Sequence, residues 1–185
     1  MALPGHQPEN DATTPSRPGP ALRLRQPLTE DGAAIHRLIA ACPPLDTNSL
    51  YCNLLQASHF ADCSILAEAD GRLLGWISGY RLPADPTTLF VWQVAVHPDA
   101  RGLGLGRRLL SDLLARPGLA DIKTMATTIT PSNEASWALF RSFAKSQGAA
   151  FRHDAHFERD RHFDGAHEAE HMVTIGPLPS VRAAA

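Results

Sequence analysis

The amino-acid sequence predicts a mixed α/β domain whose sheet is not doubly wound. Three features predict it. Asp70-Gly71, between β-prone runs at 64–68 and 72–80, is a two-residue hairpin signal that places antiparallel strands early in the chain. Leu89–Val96 is almost entirely apolar, as a strand buried on both faces is, and an amphipathic helix follows it from Gly104. A strand, a helix and two more strands then complete an order that suits a mixed sheet.

Each element has its own signal. Residues 1–20 hold Pro4, Pro8, Pro15, Pro18 and Pro20 among small polar residues, with too little apolar surface to bury, and read as a disordered tail. Order is expected over 21–178, with 179–185 a short C-terminal tail. Ala21-Leu22-Arg23-Leu24 alternates as a strand does. Thr29 reads as the N-cap of a helix carrying Ile35, Leu38 and Ile39, which Pro43-Pro44 stops. A second short helix is expected from Asn48 to about Ala57. The helix from Gly104 places Leu105, Leu109, Leu110, Leu113 and Leu114 on one side and ends at Pro117. Ile122–Thr130 is rich in threonine and β-prone. Asn133 can cap a helix with Leu139, Phe140 and Phe143, which Gly148 closes. Strands are expected near 151–157 and 171–175.

Composition narrows the function. The chain has 185 residues, 44% hydrophobic and 19% charged, enough for one domain with a real core. A net charge of −2 argues against a nucleic-acid partner, which normally demands a basic face. No apolar run approaches the roughly 20 residues that cross a bilayer, and no secretory signal pattern opens the chain. Cys42, Cys52 and Cys63 form no C-x-x-C pair and read as reduced thiols in a cytoplasm.

The strongest local signal is Arg101-Gly102-Leu103-Gly104-Leu105-Gly106, set between a buried strand and an amphipathic helix. Glycines there let backbone N–H groups approach an anion, and the helix N-terminus adds partial positive charge. That suits a diphosphate. The spacing is G-x-G-x-G late in the chain, so the dinucleotide fingerprint does not fit, and no Lys-Ser/Thr follows as a nucleotide P-loop requires.

With the strand before it, this stretch resembles the coenzyme A-binding signature of the GNAT family, R/Q-x-x-G-x-G/A, which Arg101, Gly104 and Gly106 match. The order of elements matches as well. The resemblance implies the GNAT fold, acetyl-coenzyme A as acetyl donor, a diphosphate resting on residues 101–106, and pantetheine pairing with the preceding strand near Val94 and Val96. Asn133 maps to an asparagine facing the cofactor arm. A narrower resemblance covers most of 22–178. The segments at 43–51, 90–96 and 128–133, with His167-Glu168-Ala169-Glu170, are similar to those of the diaminobutyrate acetyltransferases. This implies acetylation of the γ-amino group of L-2,4-diaminobutyrate, a step of ectoine biosynthesis under osmotic stress, by a homodimer.

The residues make independent sense of a diamino acid. Its two ammonium groups need carboxylates or aromatic faces. Asp46 follows the Pro-Pro stop in a loop, although it could equally cap the next helix. Tyr51 lies about one turn onward and could offer its hydroxyl or pack in the core. Trp92 and Gln93 sit on the cofactor strand, where structural roles are equally open. Glu168 and Glu170 are candidate ammonium ligands. His167–His171 spells H-E-x-x-H, but Met-Val-Thr-Ile after it reads as a strand and no third ligand follows, so no metal is expected.

Chemistry requires a neutral amine, a proton acceptor and a donor for the developing oxyanion. Many GNAT enzymes carry a tyrosine in the helix after Asn133 and a glutamate on the central strand. Here Phe140 and Phe143, and Trp92 and Gln93, stand instead, leaving Asp46, Tyr51 and Glu168 as catalytic candidates without a firm assignment. Two alternatives stay open: a GNAT enzyme for another small amine, polyamine or protein N-terminus, and a non-catalytic acetyl-coenzyme A sensor.

Overall fold

The computed structural model describes residues 22–179. The tail expected at 1–20 lies outside the described residues, as do 180–185 of the C-terminal tail. A seven-stranded sheet in the order β1-β2-β3-β4-β5-β7-β6 runs through the molecule. Its strands are β1 (Arg23–Arg25), β2 (Ile65–Ala69), β3 (Arg72–Leu82), β4 (Asp85–Val96), β5 (Thr124–Ile129), β6 (Ala150–Phe157) and β7 (Glu170–Gly176). Only β4 and β5 pair in parallel; every other neighbouring pair is antiparallel. The mixed sheet is thus the one the sequence predicts.

Two helical layers cover it. On one face α1 (Gly32–Ala40) and α2 (Leu50–Ser58) bury Ile35, Leu38, Ile39 and Ala57 against Leu66, Trp76 and Ala95. On the other, α3 (Leu105–Leu114) and α4 (Glu134–Gln147) bury Leu109, Leu110, Leu113, Phe140 and Phe143 against Ile77, Val91, Met125 and Val173. Each large side chain so removed from water contributes about 1.5–3 kcal/mol. A five-residue helix, α5 (Arg159–Phe163), lies between β6 and β7 and carries no sequence signal strong enough to predict it.

Local chemistry sets the boundaries. Asp70 and Gly71 adopt φ of 50° and 72°, the left-handed pair that a tight hairpin between β2 and β3 requires. Asn133 caps α4 by accepting from the Ser136 N–H, and Gly148 ends that helix at φ 62°. Two expectations need correction. Thr29 does not cap α1: it opens a single 3-10 turn, Thr29–Asp31, and Asp31 closes that turn by accepting from the Leu28 N–H. Nor does α2 begin at Asn48. Ser49 accepts from the Cys52 N–H and caps it, while Asn48 sits at φ 55° outside the helix.

Candidate active site

β4 creates the site by leaving the sheet on one side. It pairs with β5 only over Thr88–Phe90. Beyond that, β4 continues along β3 to Val96, and β5 continues along β7 to Ile129. The two strands therefore splay, and a cleft opens between them. His97 N–H donates to the Leu74 carbonyl, so the alternation of an antiparallel ladder turns the backbone of Val94 and Val96 away from β3 and into the cleft. The Val96 carbonyl confirms that direction: it accepts from Cys42 Sγ at 3.3 Å and from Arg101 Nε at 3.2 Å. Burial pushes the Cys42 thiol up, against a smaller lowering by Arg101, so it remains a neutral donor.

A cavity of about 610 Å³ occupies one side of the cleft. It is lined by Val94, Val96, Arg101, Gly102, Gly104, Leu105, Gly106 and Asn133, eight of the nine residues the sequence assigned to the cofactor. Gly104 (φ 74°) turns the chain into α3, whose first N–H groups and positive dipole end face the cavity. Leu103 is the exception; its side chain is 79% exposed and lies off the cavity wall. Sequence reasoning missed Arg107 and Ser142, which also line the cavity and bond to each other at 3.3 Å. Arg107 did leave a signal. A cation in the first turn of a helix opposes the dipole, and an anion outside the protein offsets that conflict. Two arginines, a helix N-terminus and outward-facing strand amides fit a coenzyme A diphosphate and its pantetheine.

The substrate candidates stand on two arms, one with β4 and one with β5. Of them only Trp92 lines a described cavity; Pro43, Pro44 and Leu45, just before Asp46, line the one of about 610 Å³. On the β4 arm the register passes from Ser78↔Gln93 to Gly79↔Val91, so Trp92 is bulged. Trp92, 43% exposed, packs edge-on against Tyr80, while Gln93 is buried and donates to the Asp46 carbonyl. Asp46 is exposed, and its Oδ1 accepts from the Asn48 N–H rather than capping α2. Tyr51 is 70% exposed in the first turn of α2, which answers the open choice between a presented hydroxyl and core packing in favour of the surface. On the β5 arm Glu168 is exposed and accepts from Ser132 Oγ at 2.9 Å, just beyond β5. Glu170 begins β7 opposite Phe157. No described hydrogen bond joins the two arms. A larger cavity, about 1390 Å³, touches both, with Tyr80, Phe90 and Trp92 from one and Thr128 from the other.

His167 and Glu168 precede β7 and His171 lies within it, so the H-E-x-x-H run has no helical face. His171 instead packs against Trp137 and His153. Phe140 and Phe143, which stand where many GNAT enzymes place a tyrosine, are core residues at 2% and 0% exposure.

Comparison with known proteins identifies the family and the fold. The model of the acetyltransferase (GNAT) family matches residues 33–144. An L-2,4-diaminobutyric acid acetyltransferase of Methylotuvimicrobium alcaliphilum is 51% identical over 89% of this chain and 95% of its own length. One of Vibrio cholerae is 49% identical over 85% and 90%. Among solved structures, the diaminobutyrate acetyltransferase of Paenibacillus lautus, in complex with L-2,4-diaminobutyric acid and coenzyme A, superposes with a TM-score of 0.82 at 35% identity, covering 86% of this chain and 96% of that one. The ribosomal-protein-S18-alanine N-acetyltransferase of Escherichia coli, at 19% identity and a TM-score of 0.57, shares the fold.

Proposed function

Because the chain belongs to the acetyltransferase (GNAT) family and, within it, to the L-2,4-diaminobutyric acid acetyltransferases, we propose that it transfers acetyl from acetyl-coenzyme A to the γ-amino group of L-2,4-diaminobutyrate. The observation that carries this reading is the splayed β4. It leaves a cation-lined cavity beside Val94, and on this reading the acceptor enters at a mouth flanked by Asp46, held to β4 through Gln93, and Glu168, held to Ser132 beyond β5. A dianionic diphosphate would then meet cations, and the two ammonium groups of the acceptor would meet carboxylates.

The thioester supplies the acetyl group. Arg101, Arg107 and the α3 N-terminus hold the diphosphate. The outward N–H of Val94 is placed to donate to the acyl oxygen as negative charge develops there. Asp46 and Glu168 hold ammonium groups, and a carboxylate takes the proton that the attacking amine must lose, directly or through water. As the C–N bond forms the C–S bond breaks, and coenzyme A leaves as a thiolate that takes up that proton to become the free thiol. Tyr51 offers a hydroxyl and Trp92 an aromatic face to the same mouth. Glu170 is the second carboxylate of the β5 arm.

Single-turnover acetyl transfer to a panel of diamino acids, polyamines and peptides tests the reading. Transfer to diaminobutyrate, fastest in the panel, is expected. Faster transfer to a peptide or polyamine, or binding of acetyl-coenzyme A without any transfer, would replace it. The same kinship supports a homodimer serving ectoine synthesis under osmotic stress. Leu50, Tyr51 and Trp92 leave apolar surface near the mouth, where a second copy could pack. The free thiols of Cys42, Cys52 and Cys63 accord with a reducing cytoplasm. Sedimentation equilibrium should give twice the chain mass.

A further inference from the structure

Gln93 is a long amide held at 8% exposure beside the reacting strand segment. The bulge at Trp92 puts it there. Val91, two positions earlier, packs in the core on the α3/α4 face, and an unbroken strand would turn position 93 to that face too. Instead Gln93 reaches the α1/α2 side, and its Nε2 donates to the backbone carbonyl of Asp46 at 2.6 Å. The amide has one orientation in this bond, because the reverse would set its oxygen against another oxygen.

The bond lands on a turn whose other side-chain hydrogen bond to the sheet, among those described, is made four residues earlier, from Cys42 Sγ to the Val96 carbonyl, so Gln93 alone ties residues 46–48 to β4 in this way. Asp46 is exposed, is not a helix cap, and is shaped by its own Oδ1 accepting from the Asn48 N–H at 3.0 Å. The turn therefore fixes the direction of the carboxylate, and Gln93 fixes the turn against β4. The next residue, Val94, faces the cofactor cleft through its backbone. We infer that Gln93 is a positioning residue: its amide clamps the Asp46 turn onto the β4 bulge and so sets the spacing between the carboxylate that receives the amine and the strand segment beside the thioester. It acts through Asp46, without touching the amine itself. This rests on the proposed function, since it gives Asp46 the amine.

The test uses Gln93→Met, which keeps length but removes the donor, and Gln93→Glu, which sets an acceptor against the Asp46 carbonyl. In both, calorimetric affinity for coenzyme A should stay within about twofold of wild type, while KM for diaminobutyrate rises about tenfold or more, in line with the steep cost of misplacing a reacting group. Hydrogen exchange should accelerate in residues 44–50 and stay unchanged in the β3-paired segment 95–97. Combined with Asp46→Asn, Gln93→Met should add little, because both act through one carboxylate. An unchanged KM, exchange that rises across the whole sheet, or losses that multiply in the double variant would each overturn the inference and leave the function standing. A wild-type chain that does not acetylate diaminobutyrate would overturn the function, and this inference with it.

Discussion

Gly104 and Gly106 are glycines for different physical reasons. A Cβ at Gly104 would meet only Arg107 Nη2 at 3.9 Å, so space is not the constraint; φ 74° is. A Cβ at Gly106 would lie 3.2 Å and 3.3 Å from the two Leu139 methyls and 3.7 Å from Val96 Cγ2, inside the cofactor cavity. Gly104→Ala should therefore cost about 1–2 kcal/mol through backbone strain, read as a lower melting temperature. Gly106→Asp should act on the ligand, because it brings a carboxylate to the cavity proposed for the diphosphate. We expect at least a tenfold loss of coenzyme A affinity, about 1.4 kcal/mol, by calorimetry. An unchanged affinity in a folded variant would contradict the cavity assignment. The glycine turn was legible in the sequence because its determinants are local: the positive-φ glycines and the helix start lie within six residues. The Asp46–Gln93 bond was not legible, because a one-residue bulge decides which face Gln93 takes and no residue type announces that bulge.

At the scale of elements, capping and tethering carry the testable energetics. Ser49 caps α2, next to the loop that presents Asp46. Ser49→Ala should cost about 1 kcal/mol by chemical denaturation and should leave coenzyme A binding intact. On the other flank Arg25 ties β1 to the turn before α1 and to β2, bonding Asp31 at 2.7 Å and 2.9 Å and Glu68 at 2.9 Å. These side chains are mostly buried, and Arg25→Met should cost about 1–2 kcal/mol. The hydrogen bonds from Arg25 hold the Asp31 carboxyl below its ordinary value. The folded state thus binds its proton less readily than the unfolded chain. Its stabilising effect is complete above the unfolded pKa of about 3.9 and is lost as pH falls through the lower folded value. Arg25→Met should flatten that acid limb of the stability curve. Apart from the five-residue α5, strand and helix order was readable from periodicity, and the hairpin from Asp70-Gly71. The splay of β4 from β5 was not, because apolar residues mark both strands alike and only pairing distinguishes their joined from their open halves.

At the largest scale the described residues form a sheet opened in the middle, and the proposed function gives its cation-lined cavity to the donor and the Asp46 and Glu168 arms to the acceptor. Two predictions belong to that scale. First, the H-E-x-x-H run enters a strand, so transfer should survive EDTA; activity lost to chelator and restored by zinc would refute that. Second, on the proposed function the opened sheet holds one distance constant, from the ligands of the α-ammonium and carboxylate to a thioester beside Val94. A side chain one methylene shorter or longer moves the attacking nitrogen by roughly one C–C bond, and misplacement of about 1 Å can cost on the order of 100-fold in rate. Diaminobutyrate should therefore outrun 2,3-diaminopropionate, ornithine and lysine. Product NMR should find the acetyl group on the γ nitrogen. The arms share this discrimination, since Asp46 stands on one and Glu168 on the other. Asp46→Asn and Glu168→Gln should each depress turnover of the amine more than affinity for the cofactor. Equal rates for simple diamines lacking a carboxylate, or acetyl found mainly on the α nitrogen, would mean that the mouth does not hold the amino-acid end. The cavity proposed for the donor would be unaffected by that result, because neither Asp46 nor Glu168 is among its lining residues.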